Sequence, residues 1–185
     1  MFSAFDIYQH VDASKKEISI EKQQDENKTD LRQLYRLLKS TQKQLLIFSG
    51  NLSWVNLKNK ETDLFKEVEN LVKKGILIKI ITRVNLSALD NINKMLSLNY
   101  RYGKNSIEIR HREHPLRAFI FDNKIARIKE INEPSGKINE LNQRVFIFYT
   151  IRDKDWVEWM SKIFWNLFSN SIDAGKRLEE MKKFI

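Results

Sequence analysis

The 185-residue sequence contains no cysteine. That excludes disulfide frameworks, thiolate zinc sites, iron–sulfur clusters and cysteine nucleophiles, and it accords with a reducing cytoplasm as the expected location. Histidine is scarce: three residues leave little from which to build a metal site, so no metal or other cofactor is expected. No apolar run approaches the ~18–20 residues that cross a bilayer, so no membrane span is expected. Met1 to His10 lacks a basic stretch followed by an apolar core, and no signal peptide is expected there. Walker, G-x-G-x-x-G, H-E-x-x-H, G-x-S-x-G and EF-hand strings are absent as well.

Apolar mass and positive charge are both plentiful. Hydrophobic residues make up 42 % and aromatics 11 %, too much for general disorder. The length predicts one domain, which buries roughly 70 % of its unfolded surface and needs no covalent staples. Lys and Arg number 33 against 24 Asp and Glu, a net +9. The excess is uneven: residues 1–30 carry −3 and residues 31–185 carry +12. A basic body favours an anionic partner, although a surplus of surface lysine explains the same count.

The expected organisation is an N-terminal segment or linker over 1–28 and an α/β domain over 29–185. Phe2, Phe5, Ile7 and Tyr8 form an apolar start, read as a strand or a docking segment. Lys16 to Glu21 alternates around Ile18 and Ile20, a faint strand; Glu21 to Thr29 reads as a linker or a frayed helix start. Leu31, Leu34, Tyr35, Leu37 and Leu38 predict an amphipathic helix over 30–43. Strands are predicted at 45–48, 76–82, 106–110, 117–121, 124–131 and 144–150. Helices are predicted at 62–74, ended by Gly75; after a Ser87/Asp90 capping box; after Asp153; and over about 173–184. Asp122-Asn123 is a tight turn between two strands, and 132–143 is a polar loop. Strands separated by helical patterns imply right-handed crossovers, and the hairpin makes the sheet mixed. The fold class is therefore α/β, with a mixed, mostly parallel sheet flanked by helices.

Three strings within this order are telling: LLIFSGNLSW (45–54), FKEVENLVKKGILIKIITR (65–83) and IEIRHREHPLRAFIFDNKIARIKE (107–130). Together they resemble a single phospholipase-D-like half-domain over roughly residues 30–170. The resemblance implies a His-x-Lys-x4-Asp motif on a strand, with one copy per half-site. One His is the nucleophile, a second His protonates the leaving group, Lys binds phosphate and Asp orients its neighbours. Residues i and i+2 of a strand face the same way, which would send His and Lys into one cleft. Aligning Asp122 with the motif Asp puts Arg117 at the Lys position and Pro115 at the His position. Arginine keeps a phosphate-binding cation; proline offers neither nucleophile nor proton. Lys129-Glu130 stands where the family has Gly-Ser. His114 is one residue off, and a one-residue shift in a strand sends a side chain to the other face. His111 is farther still.

The segment Arg101–Lys129 carries a net +5. Arg110, Arg112, Arg117, Lys124, Arg127 and Lys129 are candidates for phosphate or nucleic-acid contact; alternatively they are a solvated sheet edge whose charges block edge pairing. Asn51, Ser53 and Trp54 leave the carboxyl end of a strand, where ligands of open α/β sheets bind. Trp54 would stack on a base or simply cover the core. Trp156, Trp159, Trp165 and Phe168 load the last long helix with aromatic surface. The resemblance implies that two halves pair about a twofold axis, and a homodimer is expected.

Three readings follow. The first is a non-catalytic phospholipase-D-like binding or regulatory domain that holds a phosphorylated ligand or nucleic acid. It is similar to the effector domains of transcriptional regulators, although 29 residues before the first body helix are too few for a winged helix. The second is a dimeric, metal-independent phosphodiesterase or nuclease using His114, Arg117 and Asp122. The third is a structural interaction subunit.

Overall fold

A computed structural model describes residues 3–22, 30–137 and 140–183. Phe2 and most of the expected linker, 23–29, lie outside the described residues. Six helices and eight strands follow in the order α1 (Phe5–Tyr8), β1 (Lys16–Lys22), α2 (Asp30–Ser40), β2 (Gln44–Ser49), α3 (Leu64–Lys73), β3 (Leu77–Thr82), α4 (Leu89–Tyr102), β4 (Ile107–His111), β5 (Ala118–Phe121), β6 (Ile125–Asn132), β7 (Val145–Ile151), α5 (Lys154–Ser169), β8 (Ile172–Asp173) and α6 (Ala174–Lys182). Among the described residues no helix is long and apolar enough to cross a membrane.

The strands form one mixed sheet in the order β1-β7-β6-β5-β2-β3-β4-β8. Its parallel part is smaller than the sequence suggests. Only β2–β3 and β3–β4 run parallel, while β5, β6, β7 and both edge strands pair antiparallel. The edge strands account for two of the five antiparallel pairings. β1 pairs with β7 over its full length, and β8 adds two residues to β4. β1 is largely exposed and β8 wholly so, and both lack the apolar run by which buried strands are recognised. The apolar start is a short helix, α1, rather than a strand.

Helices cover both faces. One face carries Leu45, Ile47, Ile78, Ile80, Ile107, Ile109 and Phe121, and packs against α2, α3 and α4. The other carries Leu46, Phe48, Ile81, Ala118, Ile120, Ala126 and Ile128, and packs against α5 and the α1 segment. Strand alternation sorts these residues. Edge-on contact of Phe48 with Phe164, centroids 5.1 Å apart, ties α5 to β2 and adds about 1 kcal/mol beyond burial.

Helix ends follow local chemistry. The Asp63 and Asp153 carboxylates accept the N–H groups that open α3 and α5. Beyond α3, Gly75 (φ +76) donates to the Val72 carbonyl and Ile76 to that of Leu71, a left-handed cap that glycine adopts without a Cβ penalty. The expected Ser87/Asp90 box is not the cap of α4. Asn85 accepts the Ala88 N–H at 3.2 Å, and a 3-10 turn, Leu86–Ala88, leads into the helix. Helix α2 stops at Ser40, before the expected 43, because the N–H groups of Gln42, Lys43 and Gln44 donate to the Asp122 carboxylate and not to carbonyls of the preceding turn.

Candidate functional site

The hairpin β5–β6 carries the residues that the sequence singles out. Phe121 pairs with Ile125, so its turn is Asp122, Asn123 and Lys124; the first two are left-handed (φ +53 and +56), the sense that follows the twist of the flanking strands. The Asp122 carboxylate accepts the backbone N–H groups of Gln42 (2.9 Å), Lys43 (2.8 Å) and Gln44 (3.0 Å). Asn123 Oδ1 accepts from Gln44 Nε2 (2.7 Å) and the Ser161 hydroxyl (2.9 Å). Asp122 therefore clamps the hairpin to the turn that opens β2. It lies one strand length from Arg117, roughly 17 Å at the usual rise of an extended chain.

At the other end of β5, the Arg117 carbonyl accepts the Lys129 N–H at 2.7 Å. That bond keeps Arg117 in register opposite Lys129, on the face of Phe119 and Arg127. Beyond this pair the two strands diverge. They leave a gap of about 200 Å³ lined by Pro115, Arg117, Lys129, Glu130 and Asn132 and floored by Ala4. Arg117 is exposed and forms no ion pair among the described residues. Glu130 Oε2 accepts the Ala4 N–H at 3.1 Å and the Ser3 hydroxyl at 3.4 Å, so the start of the chain is fastened to the gap. Burial, and then the nearby Glu130 charge, hold the Tyr149 hydroxyl above its usual pKa.

His114 turns away. Its Nε2 lies 3.2 Å from the Ile81 carbonyl and its ring stands edge-on to Phe48 at 5.4 Å, so it sits on the α5 face. A carbonyl partner fixes the proton on Nε2. Burial lowers its pKa below 6.5, partly offset by that hydrogen bond. His114, Arg117 and Asp122 thus occupy three separate places. His111 Nδ1 accepts the Val84 N–H at 3.0 Å beside β8 and α6, away from the gap.

The remaining candidate cations serve separate contacts. Arg110 donates to Glu108 and to the Phe168 carbonyl and lies 4.6 Å over the Phe168 ring; Arg112 donates to the Asn170 carbonyl. Both bind the carboxyl end of α5, where the helix dipole favours cations. Arg127 is 3 % exposed, donates to Gln33 and Thr150, and lies over Phe148. Lys129 lies 4.0 Å over Phe146. Lys124 belongs to the hairpin turn beside Asp122. Asn51 accepts the Ser53 N–H at 3.1 Å, and Trp54 packs edge-on to Phe119 with its Nε1 buried and unpartnered. Of the sequence candidates the fold brings Arg117 and Lys129 to one gap. It adds Glu130, Asn132 and Ala4, and the contact from residue 4 to residue 130 had no local signal. Among the described residues no three His, Cys, Asp or Glu side chains are placed to hold a metal ion.

This arrangement is the phospholipase-D-like fold. No family model matches the chain, and no curated protein does. Solved structures do. Nuc from Salmonella typhimurium, a phospholipase D family member, aligns with a TM-score of 0.58 at 12 % identity, over 86 % of this chain and 98 % of its own. NucT from Helicobacter pylori aligns with 0.58 at 11 % identity, over 86 % and 99 %. TrmBL2, an archaeal chromatin protein whose structure shows a novel mode of DNA binding, aligns with 0.56 at 16 % identity over 87 % of this chain. The present chain spans 55 % of TrmBL2's length. At these identities the likeness is one of fold.

Proposed function

We propose that this chain is a non-catalytic phospholipase-D-like module that holds a phosphate-bearing ligand at Arg117 and works as a homodimer. The observation that carries the reading is the separation of Arg117 from His114. An exposed, unpaired guanidinium sits at the mouth of a gap and can take two phosphate oxygens at once. The imidazole that would attack phosphorus is packed under Phe48, with Nε2 engaged by Ile81. No histidine lines the gap, and its carboxylate, Glu130, is tied to the chain's start. The DNA binding of TrmBL2 fits a phosphate-bearing partner. Dimer formation is supported by an apolar surface beside the gap: Phe5 is 50 % and Trp159 46 % exposed. Trp159 also lines a wholly apolar pocket of about 70 Å³ together with Ile7, Leu116 and Ile163.

Titration with inorganic phosphate by calorimetry tests the site. Binding is expected for the native chain, lost in Arg117→Ala and retained in Arg112→Ala; equal affinity in Arg117→Ala refutes it. A chromogenic phosphodiester in EDTA is expected to stay intact. Cleavage that His114→Ala abolishes would make the chain an enzyme. Sedimentation velocity is expected to show a dimer that Trp159→Glu dissociates.

A further inference from the structure

We infer that the groove between α2 and α3, which shares no lining residue with the Arg117 gap, is a second site that takes single-stranded nucleic acid, with phosphates along its rim and a base against Tyr35. Two cavities of about 300 and 420 Å³ adjoin there and share Tyr35, Glu61 and Thr62. Arg32, Arg36 and Lys39 recur at helical spacing, so α2 presents them as one stripe along the groove. Lys60 and Lys66 line the adjoining cavity. Arg32 is engaged by Glu61 at 3.4 Å. Arg36, Lys39, Lys60 and Lys66 form no ion pair among the described residues. This sets the groove apart from the Arg110–Arg112 cluster, whose charges are spent on the end of α5.

The shape selects among polyanions. Cavities of about 300 and 420 Å³ have room for single bases with their phosphates and none for a duplex. Tyr35 is rooted in the core and lines both cavities, so it offers a fixed ring on which any base can stack. Of the groove's three acids, Glu61 pairs with Arg32 and Asp63 caps α3, and the third, Glu67, fits the same orientation. Glu67, 3 % exposed, lines its floor and accepts from Asn70 Nδ2 at 3.2 Å. A carboxylate repels phosphate but accepts from an exocyclic amino group. The base therefore points inward and the backbone runs over the rim, which favours cytosine over thymine.

Fluorescence anisotropy of the full chain with labelled oligodeoxycytidine and oligothymidine tests this. Arg36→Ala/Lys39→Ala is expected to weaken oligodeoxycytidine binding about tenfold and to shallow the slope of log affinity against log salt by about 1.4, roughly 0.7 for each phosphate no longer neutralised. Both side chains are exposed and form no ion pair among the described residues, so the melting temperature should not move. Tyr35→Ala should weaken binding with no change in slope, and oligodeoxycytidine should bind more tightly than oligothymidine. Unchanged affinity and slope in the double variant overturn the site. So does a loss confined to Arg117→Ala, which would place binding at the gap. Equal affinity for the two oligonucleotides overturns the inward base.

Discussion

The Asp122 carboxylate accepts the Lys43 N–H at 2.8 Å, joining residues 79 positions apart. With Gln42 and Gln44 also donating, one side chain satisfies three backbone groups and fixes the register of β5 against β2. This places the aspartate in the framework of the sheet, one strand length from Arg117.

Asp122→Ala should therefore act on stability and not on ligand affinity. It removes charge-assisted hydrogen bonds, each worth about 1.5–3 kcal/mol when a charged group is involved. It also puts alanine at φ +53, costing about 1–2 kcal/mol more. A loss of about 3 kcal/mol in urea unfolding is expected once partial exposure is allowed for. Asp122→Asn, which tolerates the left-handed backbone, should lose less. A change below about 0.5 kcal/mol for Asp122→Ala would show that the clamp does not hold the hairpin.

Both described sheet-side histidines make the fold sensitive to acid. His111 is held below 6.5, first by burial and then by the nearby Arg177 charge; His114 is lowered by burial. A proton on His111 Nδ1 would also remove the acceptor of the Val84 N–H. The unfolded chain binds these protons more readily than the folded one, so stability rises with pH through this range. Their contribution is complete above pH 6.5 and is lost as pH falls through the depressed folded values. Urea midpoints measured from pH 7.5 downward should decline below about 6.5. The decline should be smaller in a His111→Gln/His114→Gln variant. An identical decline in that variant would assign the acid sensitivity to other groups.

Glu130 anchors the start of the chain through Ala4 and Ser3. Glu130→Ala leaves the nearly buried Ala4 N–H without its acceptor and frees the segment that packs Tyr8 on Tyr149. Hydrogen exchange at the α1 amides, whose bonds run from Tyr8 to Ala4 and from Gln9 to Phe5, should quicken at least tenfold. Exchange in the centre of β2 should stay unchanged. Equal protection at α1 in the variant would mean that apolar contacts alone hold it.

The sequence by itself determined the central strands, the four long helices, the hairpin turn at Asp122-Asn123 and the likeness to a phospholipase-D-like half-domain. Those features are local: an apolar period, a capping aspartate and a left-handed turn are written in neighbouring residues. Arg117 was a candidate cation on the same ground, from its spacing to Asp122. Tertiary structure alone decided which cations stand free. Arg110, Arg112 and Arg127 look like Arg117 in a string of residues, yet the first two bind the end of α5 and the third is buried beneath α2. It also decided that β1 joins the sheet, that residue 4 meets residue 130, and that Arg36 and Lys39 share a groove with Lys60 and Lys66. A cation's availability depends on the partners that chain reversal brings to it, and those partners lie tens of residues away.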